Sequence, residues 1–220
     1  VQRDLVLFFL LFFVLMLSGG RSAFIGFCLG FGFIILFMKN KYRYLLIFSG
    51  FVGYLFMVSF PGYFSLLNRQ EAVNDAFEVR YNIWNEAISV FLQHPFLGIG
   101  IGNYIDYVAL YTQGGYYIID DQIVYYGTEN GYLKILTEAG ILGFITILFL
   151  LVRPVVQSWI AIRKSFDSWN QYFLIAAVLS WGVSFNSLYT LSDKRIVVLL
   201  ATILCFMIYL RKKSSALYGY

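Results

Sequence analysis

The chain has 220 residues, 60% hydrophobic, 20% aromatic and only 13% charged, with a formal net charge of +4 and a mean hydropathy of +0.73. An ordinary soluble domain carries about 25% charged residues, so this composition excludes an ordinary water-soluble fold and suits a lipid environment. The basic excess is no sign of nucleic acid either, because no polar segment interleaves basic with aromatic residues, and in membrane proteins Lys and Arg mark cytoplasmic loops first.

Six apolar segments follow in order, at residues 5–17, 23–38, 44–60, 131–152, 172–191 and 196–210. Several are shorter than the ~20 residues that cross ~30 Å of hydrocarbon, so they must borrow flanking residues or thin the bilayer. The first run lacks a following small-residue cleavage site and reads as a permanent span, not a signal peptide. A start at Val1 instead of methionine is what the C-terminal part of a longer protein would show. Cys28 and Cys205 both lie inside apolar runs, which argues against a disulfide framework or a cysteine metal cluster.

Orientation follows from the basic residues. If the first segment runs outward, Arg3, Lys39, Lys41, Arg43, Arg153, Arg163, Lys164, Arg211, Lys212 and Lys213 fall on the cytoplasmic side, ten of sixteen, as the positive-inside bias requires. The expected fold is an all-α, polytopic transmembrane bundle. Residues 1–60 supply about three helices, residues 61–130 form a long extracytoplasmic loop, and residues 131–220 supply about three more helices and a basic cytoplasmic tail.

The loop is where chemistry would sit. Asn74 or Asp75 is placed to cap a helix in which Arg80, Trp84, Ala87 and Phe91 share one face. Pro95 after His94 ends that helix, and Gly98, Gly100 and Gly102 then permit a tight backbone path. The Tyr-rich run between residues 104 and 126 reads as loop, offering ring-stacking surfaces for sugars or an interfacial belt. Asp120 and Asp121 are adjacent and would point apart in an extended chain, so they make a poor metal site.

Two blocks carry a resemblance. Arg80, Trp84, Ala87, Phe91, His94, Pro95, Gly98, Gly100, Gly102 and Asn103 follow the pattern R-x3-W-x2-A-x3-F-x2-HP-x2-G-x-G-x-G-N, and residues 128–143, TENGYLKILTEAGILG, follow HN-x-YL-x2-L-x-E-x-G-x2-G with Glu129 in the place of His. Together they resemble the C-terminal signature region of the O-antigen ligase and Wzy-type polysaccharide polymerase family, and Arg21 in the stretch of residues 18–23 resembles an Arg that opens one of that family's helices. The resemblance implies a glycosyltransferase of the bacterial inner membrane, multi-pass, with its active face outside the cell. Its partners would be an undecaprenyl-diphosphate-linked oligosaccharide, the lipid bilayer and other polysaccharide assembly proteins, with no nucleic acid and no cofactor. Glu129 in place of His tilts the expectation toward a polymerase of O-antigen, capsule or exopolysaccharide repeats. The alternatives are a ligase acting on lipid A core or another acceptor, and a polysaccharide transporter or flippase.

Such a reaction needs a cation for the departing diphosphate and a base for the acceptor hydroxyl. Arg binds phosphate oxygens bidentately and stays charged in any surroundings, which points to Arg80 and Arg21 and requires no metal. A carboxylate is the usual base in inverting sugar chemistry, which points to Glu129. The expected catalytic residues are therefore Glu129 and Arg80, and the expected substrate-binding residues are Arg21, Arg80, Asn130, Tyr132, Trp84 and His94. Each has a structural counterpart reading: snorkelling or headgroup anchoring for the arginines, helix-start electrostatics for Glu129, and helix closure for His94. Glu138, four residues after Lys134, reads as one half of an ion pair inside an apolar helix.

Overall fold

The structure, a computed structural model, describes residues 2–17, 21–37, 44, 47–48, 50–51, 72–112, 116–119, 122–164, 169–187 and 189–218. In chain order these give α1 (Gln2–Leu17), α2 (Arg21–Phe37), α3 (Ala72–Gln93), α4 (Tyr104–Tyr111), β1 (Tyr116–Ile119), β2 (Gln122–Tyr125), α5 (Gly131–Lys164), α6 (Trp169–Phe185), a 3-10 turn (Thr190–Ser192) and α7 (Lys194–Tyr218). Five of the six apolar segments thus fall on helices, and the sixth, residues 44–60, lies largely outside the described residues. Among the described residues one helical stretch, Gly131–Arg163, is long and apolar enough to cross a membrane, and α2 holds a shorter apolar stretch, Ser22–Phe37.

The chain divides into two compact units. The first comprises Val1–Val73 and Asp167–Ser184, with α1, α2 and most of α6. Close packing of α2 on α6 rests on small residues: a Cβ at Gly26 would come within 2.6 Å of the Ser180 carbonyl oxygen, and one at Gly30 within 2.9 Å of that of Ala176. Small residues four apart let helix backbones approach closely. Ser184 Oγ donates to the Ser22 carbonyl at 3.3 Å, and Phe12 packs on Phe27 at 5.3 Å between ring centres.

The second unit, Asn74–Phe166 and Phe185–Tyr220, holds the loop region. Ile83, Ala87 and Val90 form the buried face of α3, and Ala87 and Val90 meet Tyr104 and Val108 of α4. The expected face was Arg80, Trp84, Ala87 and Phe91. Its members run along one side of α3, with Ala87 buried, Trp84 and Phe91 half-buried and Arg80 exposed, and the most buried positions lie on the adjoining side. The helix also starts at Ala72, ahead of the caps expected at Asn74 or Asp75.

The Tyr-rich run is not a plain loop. Tyr104 and Val108, four apart, give α4 one apolar stripe to bury. Burial and the nearby Glu86 carboxylate push the Tyr104 phenol well above its ordinary range, so it stays neutral. Further on, Tyr116 pairs with Tyr125 and Ile119 with Gln122 in a short antiparallel hairpin, an addition the expected all-α fold did not include to an architecture that is otherwise mostly helical. Aromatic and β-branched residues on both sides of a two-residue connection favour this arrangement. That connection, Asp120 and Asp121, lies outside the described residues.

The feature that fixes this unit is a break in α5. Gly140 has φ 63° and ψ −171°, which interrupts the helix. The two helical bonds this would forfeit are replaced group for group by residues 95–100. Ile141 N–H donates to the Pro95 carbonyl at 2.8 Å and Leu142 N–H to that of Phe96 at 3.4 Å, while the carbonyls of Thr137 and Glu138 accept from Ile99 (3.0 Å) and Gly100 (2.9 Å). Left unpaired and buried, each such group would cost roughly 1–3 kcal/mol, so four together rival the stability of a whole domain. Two glycines permit the approach. A Cβ on Gly98 would lie 2.5 Å from the Glu138 carbonyl carbon, and one on Gly140 would collide with the Phe96 carbonyl.

At the start of α7, the Asp193 carboxylate accepts from the Arg195 backbone N–H at 2.9 Å and from its guanidinium at 2.8 Å. The side-chain bond first, and then the backbone bond, hold the Asp193 carboxyl below its usual range.

Replacing Gly98 or Gly140 by Ala should lower stability by ~2 kcal/mol or more, combining a left-handed backbone with a backbone collision. Gly102 also has positive φ but nothing within 4 Å of a Cβ, so Gly102→Ala should cost only about 1 kcal/mol. Thermal unfolding of the purified variants in detergent checks the difference; equal losses at all three positions would rule out the interlock.

Candidate functional site

At the end of α5 opposite the break, the chain enters the helix through residues 128–130. Asn130 is its N-cap: the side-chain Oδ1 accepts from the backbone N–H groups of Tyr132 (3.0 Å) and Leu133 (3.2 Å). Its Nδ2 donates to Asn186 Oδ1 at 3.0 Å. Thr128 is fully buried, with its hydroxyl bonded to the Asn130 carbonyl at 3.1 Å, and its own carbonyl accepts from the Trp84 indole N–H at 3.1 Å. Glu129 sits between these two anchored neighbours with φ 48°, the one non-glycine residue in the left-handed region among those described. That conformation costs on the order of 1–3 kcal/mol and persists only where the surroundings dictate it.

The strain turns the Glu129 carboxylate toward α3, where Arg80 Nε meets Oε2 at 3.0 Å. Both side chains stay accessible, 47% and 40% exposed. Only Nε of the guanidinium is used in this bond, so both terminal nitrogens are free of Glu129 and keep their donors for an anion. The result is an exposed pair of opposite charges at the mouth of the apolar helix, with the indole of Trp84 one turn along α3.

The remaining expected site residues fall as follows. Tyr132 packs edge-on against Phe185 at 5.1 Å, and the Phe185 ring occupies the space a Cβ on Gly131 would need. His94 lies 14 residues beyond Arg80, about 20 Å along the helix axis. There it bonds through Nε2 to the Tyr107 hydroxyl at 2.9 Å, and that hydroxyl donates to Gln93 Oε1 at 3.2 Å, so the imidazole N–H is the donor toward Tyr107. Arg21 is the first residue of α2, in the first unit, and its side chain lies outside the described residues. Glu138 is 3% exposed and stands 3.2 Å from Lys134 Nζ, the pairing its spacing implied, and Lys134 also lies over the Tyr189 ring at 5.0 Å.

Two contributors were not read from the sequence. Thr128 carried no signal beyond its place in the second block. Asn186 is 56 residues from its partner, and a lone Asn inside an apolar segment was the one available sign.

Asn130→Ala should cost about 1–2 kcal/mol by removing the cap. Asn130→Asp keeps the cap acceptor but loses the donor to Asn186, and should fall between wild type and Ala. Thermal unfolding ranks the three, and an Ala variant as stable as wild type would remove the capping role.

A family model described as O-antigen ligase matches residues 6–148, a stretch that takes in both sequence blocks, Arg80 and Glu129. The chain has no significant match among curated proteins or among solved structures.

Proposed function

The chain belongs to the O-antigen ligase family, a family of membrane enzymes that act on lipid-linked glycans, and from that premise we propose that it polymerises undecaprenyl-diphosphate-linked oligosaccharide repeats. The product in this reading is a surface polysaccharide, made on the outer face of a bacterial inner membrane that the chain crosses several times. The observation that supports it is the Arg80–Glu129 pair, an exposed cation and carboxylate fixed by a strained turn where an apolar helix begins.

In the reaction, an acceptor hydroxyl attacks the anomeric carbon of the donor sugar. The carbon–oxygen bond to the diphosphate breaks, and the hydroxyl proton passes to Glu129. Arg80 takes the developing charge on the departing diphosphate through its terminal nitrogens. Inversion puts base and leaving group on opposite faces of the ring, so the 3.0 Å contact must open when substrate binds. Opening it costs little. An exposed ion pair contributes about 0–1 kcal/mol, less than a charge-assisted, bidentate hold on a diphosphate. Arg80 thus holds the Glu129 carboxylate while the site is empty and leaves it free to act as the base when the diphosphate draws the guanidinium away. Trp84 offers an aromatic face beside the pair, and no metal enters the scheme.

The ligase alternative rests on the description of the matching family; Glu129 where the ligase pattern carries His favours the polymerase.

Arg80→Ala should abolish transfer while leaving membrane insertion intact, and Glu129→Gln should slow turnover by ~10² or more if Glu129 is the base. The assay is the full-length protein in liposomes with a lipid-linked repeat unit as the only sugar substrate, products resolved on a gel. A ladder of products supports polymerisation, transfer only after a separate acceptor is added replaces it with ligation, and full activity in the Arg80→Ala protein removes the diphosphate role.

A further inference from the structure

The segment that plugs the break in α5 carries large apolar side chains on its outer surface. Phe96, Leu97 and Ile101 are 69%, 75% and 81% exposed. In an aqueous loop such a cluster has no reason to persist. It does not end at the loop, since the residue bonded to Phe96 is Leu142, itself 54% exposed, and Ile145 and Phe149 continue the apolar surface down α5 at 55% and 58%.

Depth along α5 says what covers this surface. Arg153 is exposed, with its guanidinium 5.5 Å over the Phe149 ring, and marks the opposite boundary of the apolar stretch. Gly140 and Arg153 are thirteen residues apart, about 20 Å of helix, whereas the hydrocarbon layer is ~30 Å thick. The break, and the loop bonded to it, therefore lie ~10 Å inside the near boundary. Snorkelling by Arg153 shortens that depth by a few ångströms, and helix tilt lengthens it. Irregular backbone is tolerated at such depth only where protein satisfies its polar groups. Here Gly98 N–H bonds to the His94 carbonyl, Ile99 and Gly100 N–H to α5, and the Pro95 and Phe96 carbonyls to α5.

We propose that residues 95–101 form a re-entrant segment, inserted into the acyl region of the near leaflet through Phe96, Leu97 and Ile101. This rests on α5 crossing the membrane. The occupant of this surface is lipid and not a protein partner, because the surface continues the exposed apolar stripe of α5 and its backbone leaves no unpaired edge at Ile99 or Gly100. The loop then acts as an anchor that sets the height of α3, and with it Arg80, relative to the bilayer surface where a lipid-linked sugar presents its diphosphate.

The test uses spin labels on single cysteines in the full-length protein, in phosphatidylethanolamine–phosphatidylglycerol liposomes, with the native Cys28 and Cys205 replaced by Ala. Labels go at Leu97→Cys, Ile101→Cys, Phe149→Cys and, as an aqueous reference, Asn85→Cys on the exposed side of α3. Collision with oxygen, which concentrates in lipid, is compared with collision with a water-soluble nickel chelate. The expected result is an oxygen-to-nickel ratio several-fold higher at residues 97 and 101 than at 85, approaching that at 149. A lipid signal at 149 with aqueous signals at 97 and 101 overturns the insertion alone. Aqueous signals at all positions sink the reading of α5 as a span, and labels at 97 and 101 shielded from both reagents would assign the surface to protein and also overturn the proposal.

Discussion

The second unit depends on one exchange of hydrogen bonds. A helix cannot stop and restart inside a protein without orphaning amides on one side of the break and carbonyls on the other. At Gly140 both sets find partners in residues 95–100, so the break and the loop form only together. The sequence reflects this in paired glycines: Gly140 needs a left-handed backbone and Gly98 needs close approach to Glu138. Neither block of the sequence is interpretable without the other.

The exchange also aims the site. From Arg80 to His94, α3 runs about 20 Å toward the loop, and from Glu129 to Gly140 the start of α5 runs about 15 Å in the same direction. The two segments are tied at one end by the interlock and meet at the other through the Arg80–Glu129 contact, with Ala87, Val90, Tyr104 and Val108 packed along the way. A pair 49 residues apart in sequence is brought together by two helical segments that share one anchored end.

Two of the ion pairs in this unit, Lys134–Glu138 and Arg80–Glu129, work in different regimes. Lys134 and Glu138 are largely removed from solvent, at 19% and 3% exposed, where desolvation nearly cancels attraction but loss of one partner strands the other. Such a pair holds its arrangement rigidly. Arg80 and Glu129 are both about half exposed, so their attraction is weak and reversible. In the proposed reaction such weakness suits a pair whose members separate when substrate binds, and the rigidity around it comes instead from Trp84, Thr128 and Asn130, which fix the backbone and leave the charges free to move.

Much of this protein was legible in the order of its residues. Composition alone placed it in lipid, because the apolar fraction exceeds what a soluble surface can hide. Five of six apolar runs became helices, Pro95 closed α3 after Gln93, and the i, i+4 spacing of Lys134 and Glu138 implied their pairing, since these are local consequences of helix geometry. The motif residues pointed to Arg80 and Glu129 separately. What the tertiary structure decided is everything that joins distant segments: the buried face of α3, set by contact with α4; the β1–β2 hairpin, which needs cross-strand partners to be more stable than loop; the Asn130–Asn186 bond; and the break at Gly140. In the sequence Gly140 is one glycine inside an apolar run. Its positive φ is allowed only because residues 95–100 arrive to satisfy the backbone, and no local signal encodes a partner forty residues away.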